Sequence, residues 1–219
     1  MFNKFYSSPF LVRLVPFIAF VVLTLLQGQF GETGQYWIYT LKTLLACWLI
    51  VLTRPYVKEM RWSFSWEALV VGIAVFLVWI GLDGLYPMLG ERTDGFNPLK
   101  SYGEGSVLAF VFIAVRILGS SLVVPPLEEV FYRSFLYRYF IKSDFLDVPL
   151  STFRWGTFLL IGAVFGISHY EWLPGILCAF AYQGLVCRKG RLGDAMTAHA
   201  ITNLLLGIWV VARSAYVFW

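Results

Sequence analysis

The chain has 219 residues, of which 59% are hydrophobic and 19% aromatic while only 14% are charged, and its mean hydropathy is +0.71. A soluble domain carries roughly 25% charged residues, so this composition excludes an ordinary globule and specifies a polytopic helical membrane protein. The net charge of +4 lies in a few short segments between apolar runs, which is the positive-inside pattern and not a nucleic-acid-binding face.

At about 20 apolar residues per crossing, spans are expected over residues 10–27, 36–53, 66–86 and 106–124. A short helix, 127–141, comes next, followed by spans 153–169 and 173–187 and a last one from 195 to the C-terminus. The expected fold is therefore all-α: one integral membrane domain over residues 1–219, a bundle of about eight helices. The first run is followed by Gly28-Gln29-Phe30-Gly31 and not by a small-x-small cleavage site, so it reads as a retained span. Cys47, Cys178 and Cys187 are scattered within apolar runs and read as small buried hydrophobes, with no disulfide framework.

Lys4 and Arg13 flank the first span, and the segments holding Arg54, Lys58 and Arg61, then Arg138, Lys142 and Arg154, then Arg188, Lys189 and Arg191 are basic. In contrast, 28–35 holds only Glu32 and 83–105 is net acidic. An N-inside topology puts all basic segments in the cytoplasm provided helix 127–141 returns to the side it started from, so that helix is expected to be re-entrant or interfacial. Trp37, Trp62, Trp66, Trp155 and Trp172 lie at span ends, the headgroup level that amphipathic rings favour.

The most chemically loaded stretch is Pro125-Pro126-Leu127-Glu128-Glu129-Val130-Phe131-Tyr132-Arg133. The prolines read as the first turn of a helix, where a missing N–H costs nothing. Glu129 and Arg133 are spaced i, i+4 for an ion pair, which leaves Glu128 unpaired within its own segment. His169 and His199, the two histidines of the chain, both fall in or at the end of apolar runs, and ionisable groups at membrane depth mark functional sites. His199 and Asn203 share one helix face, where both could donate to an oxyanion; for Asn203 alone, a helix-packing hydrogen bond explains as much. Phe165 lies one turn before His169, and Gly162 and Gly166 read as helix-packing positions. A water held by Glu128 and a histidine, deprotonated by the carboxylate, could attack an amide carbonyl. A carboxylate with two imidazoles is equally a catalytic zinc ligand set, and the residues alone leave both open. Lys42 and Arg116 are further charges within spans, able to snorkel, to line a cavity or to pair with Glu128 or Glu129. Tyr170 and Glu171 fit either the mouth of a site or the membrane interface.

Glu128-Glu129-x-x-x-Arg133, Phe165-x-x-x-His169 and His199-x-x-x-Asn203, in that order, resemble the three motifs of the CPBP (Abi) intramembrane protease family. That family includes the type II CAAX prenyl endopeptidases and bacteriocin-processing enzymes. The resemblance covers about residues 122–206. The overall length and Arg13-Leu14-Val15-Pro16-Phe17 also resemble a bacterial CAAX-protease-related branch found beside exosortase sorting systems.

The resemblance implies Glu128 as the catalytic glutamate, His169 as its partner in activating water, and His199 with Asn203 as the oxyanion hole. Glu129 and Arg133 are supporting positions. It further implies no cofactor or metal, with zinc as the alternative, and an eight-helix bundle whose cavity opens to the membrane and cytoplasm. The expected function is an intramembrane endopeptidase acting on a membrane-associated protein or peptide. It would sit in a bacterial inner membrane with its N-terminus cytoplasmic and a sorting system as a possible partner. The competing readings are a non-enzymatic immunity or assembly factor on the same fold and a proton-coupled transporter. Against the transporter, the two halves show no repeated hydropathy pattern.

Overall fold

The computed structural model describes residues 5–90 and 95–219; Lys4 and residues 91–94 of the acidic segment lie outside the described residues. All regular structure among the described residues is helical. The helices are α1 (Leu11–Gln27), α2 (Gly31–Thr53), α3 (Trp66–Gly81), α4 (Val107–Ile141), α5 (Trp155–Ile167), α6 (Trp172–Lys189) and α7 (Gly193–Arg213). A single helical turn, Pro98–Tyr102, sits between α3 and α4. The 35-residue α4 and 21-residue α7 are each long and apolar enough to cross a membrane. Helical backbone is also unbroken from Leu11 to Tyr56, but Gly31, at φ 72°, turns the chain back and α1 and α2 pack as a hairpin. Large apolar side chains such as Leu25, Leu44 and Val107 face outward, as a lipid-facing surface requires.

The expected span boundaries hold to within a few residues, with one correction. Residues 127–141 do not form a separate re-entrant or interfacial helix; they continue the preceding span as α4. Pro125 and Pro126 read as a helix start, yet they lie inside the rod. A proline within a helix clashes with the carbonyl four residues back and lacks its own N–H. Here the turn before it widens into a π-helix, Gly119–Val123, which makes room for the rings without ending the helix. Val130–Leu136, directly after the two glutamates, is a second π segment. At 1.5 Å per residue α4 is about 50 Å long, a full crossing with length to spare, so no re-entrant turn is needed to bring the basic segments to one end.

Those segments do meet at one end. Glu59, between α2 and α3, accepts hydrogen bonds through Oε1 from Arg13 Nη2 (2.8 Å), from Arg138 Nη2 (3.0 Å) and from the Ser134 hydroxyl. One carboxylate thereby ties the start of α1 to the last turns of α4. Lys189 Nζ reaches Glu67 Oε1 at 2.7 Å and Thr197 donates to the Ser63 carbonyl at 2.9 Å, which brings the α6–α7 turn to the same end. At the opposite, acidic end, Trp172 Nε1 donates to the Pro87 carbonyl at 2.8 Å and the Tyr36 hydroxyl to that of Asn97 at 2.8 Å.

Close helix contact holds the second half together. A Cβ on Gly166 of α5 would strike Ile176 and approach the Trp172 carbonyl to 2.7 Å, so α5 and α6 touch backbone to backbone there. The main core gathers Tyr132, Phe165, Cys178, Tyr182, Ala195 and Ala198 around the contact of α4, α5, α6 and α7.

The Glu59 node carries a stability prediction. Burial pushes the Glu59 carboxyl up, but the Arg13 guanidinium and the Ser134 hydroxyl outweigh it and hold the group below its ordinary 4.5. A carboxyl lowered on folding stabilises the protein above its unfolded value, and that stability is lost as pH falls. Glu59→Gln leaves two guanidiniums facing each other and is expected to cost about 2–3 kcal/mol at neutral pH, discounted for partial exposure. Thermal unfolding in detergent should show that loss near pH 7 and a difference from wild type that shrinks progressively as pH is taken below 4.5.

Candidate active site

The three motifs converge on one cavity of about 380 Å³ enclosed by α1, α2, α3, α4, α6 and α7 and the end of α5. Glu128, His169, His199 and Asn203 all line it. Tyr182, Trp79, Tyr170, Glu171, Phe218 and Trp219 line it as well. Tyr170 is 68% exposed and packs near Gly90, so the cavity reaches the surface at the acidic end of the bundle, away from the basic segments.

Glu129 organises the centre. It is completely buried and its Oε1 accepts from His199 Nδ1 at 3.0 Å. Its Oε2 faces Arg133 Nε at 3.3 Å, so the expected i, i+4 pair forms. The rest of the Arg133 guanidinium lies among aromatic rings, 4.5 Å from the centroid of Phe165 and 5.9 Å from that of Tyr182. Tyr182 also stacks on the His199 ring at 5.2 Å and is anchored by its hydroxyl to Thr202 at 2.7 Å. A carboxylate can only accept, so His199 must donate from Nδ1 and present Nε2 to the cavity. That nitrogen lies 4.0 Å from Glu128 Oε2, a buried oxygen with no hydrogen-bond partner in the protein. Sequence reasoning pairs Glu129 with Arg133 and misses its bond to His199.

His169 lies just beyond the last turn of α5, not within it. Its Nδ1 is 2.8 Å from the Phe165 carbonyl, to which the Ser168 hydroxyl also donates at 2.7 Å. The helix end fixes the ring by using it to satisfy a free carbonyl, so Nδ1 carries the hydrogen and Nε2 remains open. The edge-to-face ring of Trp79, 5.7 Å away, braces it from α3. Asn203 donates one amide hydrogen to the Ser120 carbonyl at 2.8 Å, which is the helix-packing bond; its second amide hydrogen is not used by that contact.

Lys42 and Arg116 line the cavity and pair with neither glutamate. Tyr170 and Glu171 lie at its outer wall. For zinc, the described residues hold no group of three His, Cys, Asp or Glu side chains placed to grip a metal ion. Nδ1 of each histidine is bonded to an oxygen of the protein, which leaves the two Nε2 atoms free.

Residues 107–205 match the family model described as type II CAAX prenyl endopeptidase Rce1-like. The motif-bearing segment of the chain is thus similar to that family. All three motifs fall inside the match, which begins at the first residue of α4 and ends two residues past Asn203. No curated protein and no solved structure matches the chain. Outside the Rce1-like segment, α1, α2 and α3 contribute walls of the cavity, Trp79 among them.

Removing the central carboxylate separates its two roles. Glu129→Ala leaves the Arg133 cation buried without a counterion and is expected to lower stability by about 3–5 kcal/mol. Glu129→Gln keeps the shape, and histidine ¹⁵N NMR should show the His199 Nδ1–H resonance shifted or lost while that of His169 is unchanged.

Proposed function

We propose that the protein is a membrane-embedded endopeptidase that hydrolyses a peptide bond with a water activated by Glu128. The observation that carries this reading is the buried bond from Glu129 to His199. It aims the imidazole Nε2 at Glu128 inside a cavity that also holds His169 and Asn203.

Glu128 takes a proton from the water, and His169 Nε2 accepts the water's second hydrogen as a hydrogen bond and fixes its direction. The hydroxide adds to the carbonyl carbon, and the resulting oxyanion receives the second amide hydrogen of Asn203. His199 adds a second donor at Nε2 only when its ring carries both protons, because Nδ1–H is committed to Glu129. Collapse of the intermediate breaks the C–N bond, and the proton held by Glu128 passes to the leaving amine. No metal takes part.

The basic end faces the cytoplasm by the positive-inside rule, which places the N-terminus inside a bacterial plasma membrane. The cavity then opens on the outer side of the bilayer, and the substrate is a membrane-associated protein or peptide reached from that side, as a sorting system would present it. This departs from the cytoplasmic opening that the family resemblance implies. Helix-on-helix immunity or assembly roles need no unpartnered carboxylate aimed into a cavity, which favours the enzyme.

Glu128→Gln and His169→Ala should each abolish cleavage, seen as loss of the same product peptides when membrane peptides of wild-type and variant cells are compared by mass spectrometry. Wild-type processing in either variant contradicts the assignment, and loss of processing with a zinc chelator contradicts its metal-free form. In a background without Cys47, Cys178 and Cys187, Lys100→Cys should react with a membrane-impermeant maleimide in intact cells and Lys58→Cys only after lysis. The reverse labelling would turn the opening to the cytoplasm.

A further inference from the structure

His199 stands between two acids. Its Nδ1 is 3.0 Å from Glu129 Oε1 and its Nε2 is 4.0 Å from Glu128 Oε2. Both acids belong to α4 while the imidazole belongs to α7, so the bond to Glu129 depends on how the ring is turned. A donor bonds well only when the acceptor lies along its N–H direction, which for an imidazole means near the ring plane. The outer torsion of a histidine is soft, and a bond through one nitrogen leaves the ring room to tilt about it. Catalytic side chains tolerate only about 10–20° of misorientation.

The plane is set from α6. Tyr182 is completely buried, and its ring lies on that of His199 with 5.2 Å between centroids and 28° between planes. Its hydroxyl donates to Thr202 Oγ1 at 2.7 Å. Thr202 follows His199 by three residues and is its neighbour on one face of α7. Tyr182 therefore lies along α7 with its ring on His199 and its hydroxyl one turn further on. Contacts at both ends hold its side-chain torsions. The single hydroxyl hydrogen is engaged at Thr202, so what Tyr182 presents to the site is a ring face and not a proton donor.

Thr202 is fixed in turn. Its own hydrogen points to the Gly72 carbonyl at 2.8 Å, with the Ala198 carbonyl at 3.1 Å. Gly72 belongs to α3, where a Cβ would come within 2.7 Å of the Ala198 carbonyl oxygen and 2.9 Å of Ile201 Cβ. Thus α3 touches α7 at the turn that carries His199. Gly72 lies outside the segment that matches the family model, and Tyr182 belongs to none of the three motifs.

We propose that Tyr182, anchored through Thr202 to the Gly72 carbonyl, is a positioning residue that holds the His199 ring in line with Glu129 and so aims Nε2 into the cavity. Its effect on cleavage rests on the peptidase reading of this cavity, but the setting of the ring can be read without turnover.

The test uses the full chain in phosphatidylcholine nanodiscs with ¹⁵N-labelled histidine. Tyr182→Leu removes the ring face. The double variant Tyr182→Phe with Thr202→Val keeps the face and the volume and removes both hydroxyls; replacing both partners by apolar groups of like shape costs little stability. The double variant should therefore melt near wild type, and it decides alone if the Leu variant does not fold. In both, the His199 Nδ1–H should exchange with solvent at least about tenfold faster, as a weakened charge-assisted bond opens more often. The His169 Nδ1–H, held by the Phe165 carbonyl, should keep its wild-type rate. In pulse-labelled cells carrying either variant, the peptides missing from Glu128→Gln cells should form about 10- to 100-fold more slowly.

A wild-type exchange rate at His199 in the double variant overturns the proposal. So does an equal change at His169, which marks general loosening of the bundle, and so does faster exchange with wild-type processing. Faster exchange at His199 alone, in a protein whose Glu128→Gln variant still yields every peptide, leaves Tyr182 as the residue that sets the ring and overturns the peptidase. Wild-type exchange with processing lost in Glu128→Gln cells does the opposite.

Discussion

The arrangement depends on a carboxylate with no exposure to water. Glu129 stands between an imidazole seventy residues away in sequence and a guanidinium one turn along its own helix. A buried carboxylate is tolerated where its charge is opposed; Oε1 takes the hydrogen bond from His199 and Oε2 faces the guanidinium. Arg133 supplies the opposing charge, and it avoids water by lying against Phe165 and Tyr182. The ring of Phe165 belongs to the helix whose end fixes His169, and that of Tyr182 to the helix that stacks on His199. Four helices are thereby joined through one ion pair, and the two histidines are joined with them. Glu128, the neighbour of Glu129, points out of this packed centre into the cavity, still carrying an oxygen that no protein group satisfies. Packing thus turns one of two adjacent acids to a cation and a histidine and the other to the cavity.

A second constraint acts on α4. A rod with two prolines at its middle would ordinarily kink or end, and each of its two π segments lies on one side of Val124–Glu129. Inserted π turns rotate the residues that follow relative to an ideal helix. The first lets the rod continue through Pro125 and Pro126, and the second follows the glutamates immediately. Glu128 and Glu129 are therefore presented from a full-length crossing helix with a wall of lipid-facing residues, not from a loop or a short hairpin. That gives the proposed site the rigidity an oriented water requires.

Much of this was legible in the chain. Composition and apolar run lengths suffice for the helical membrane bundle, because continuous apolar runs of about 20 residues fit a helical crossing and not the alternating pattern of a barrel strand. The tandem acid, the two intramembrane histidines and Asn203 stand out since each is expensive where it lies. What could not be read has a common cause: it depends on contacts between helices. Nothing in the spacing of Glu129 and His199 links them, so the acid appears to belong to Arg133 alone. Pro125-Pro126 carries a strong start signal that the preceding π turn overrides; once 127–141 is taken as a separate helix, the charge pattern makes it re-entrant. Lys42 and Arg116 are read singly as snorkelling or pairing side chains; only the packing of α2 against α4 shows that they share the Tyr39 ring.

The central claim is that Glu129 orients His199 so that its free nitrogen faces the cavity beside Glu128, where Glu128 and His169 hold the attacking water. The most direct measurement is single-turnover cleavage of a product-defined membrane peptide by Glu129→Gln protein whose fold is verified by its melting transition. The account predicts a loss of at least about a hundredfold in the cleavage rate with peptide binding retained, since the acid acts through orientation and not through contact with substrate. A variant that folds, loses the His199 Nδ1–H signal and still cleaves at the wild-type rate would contradict it.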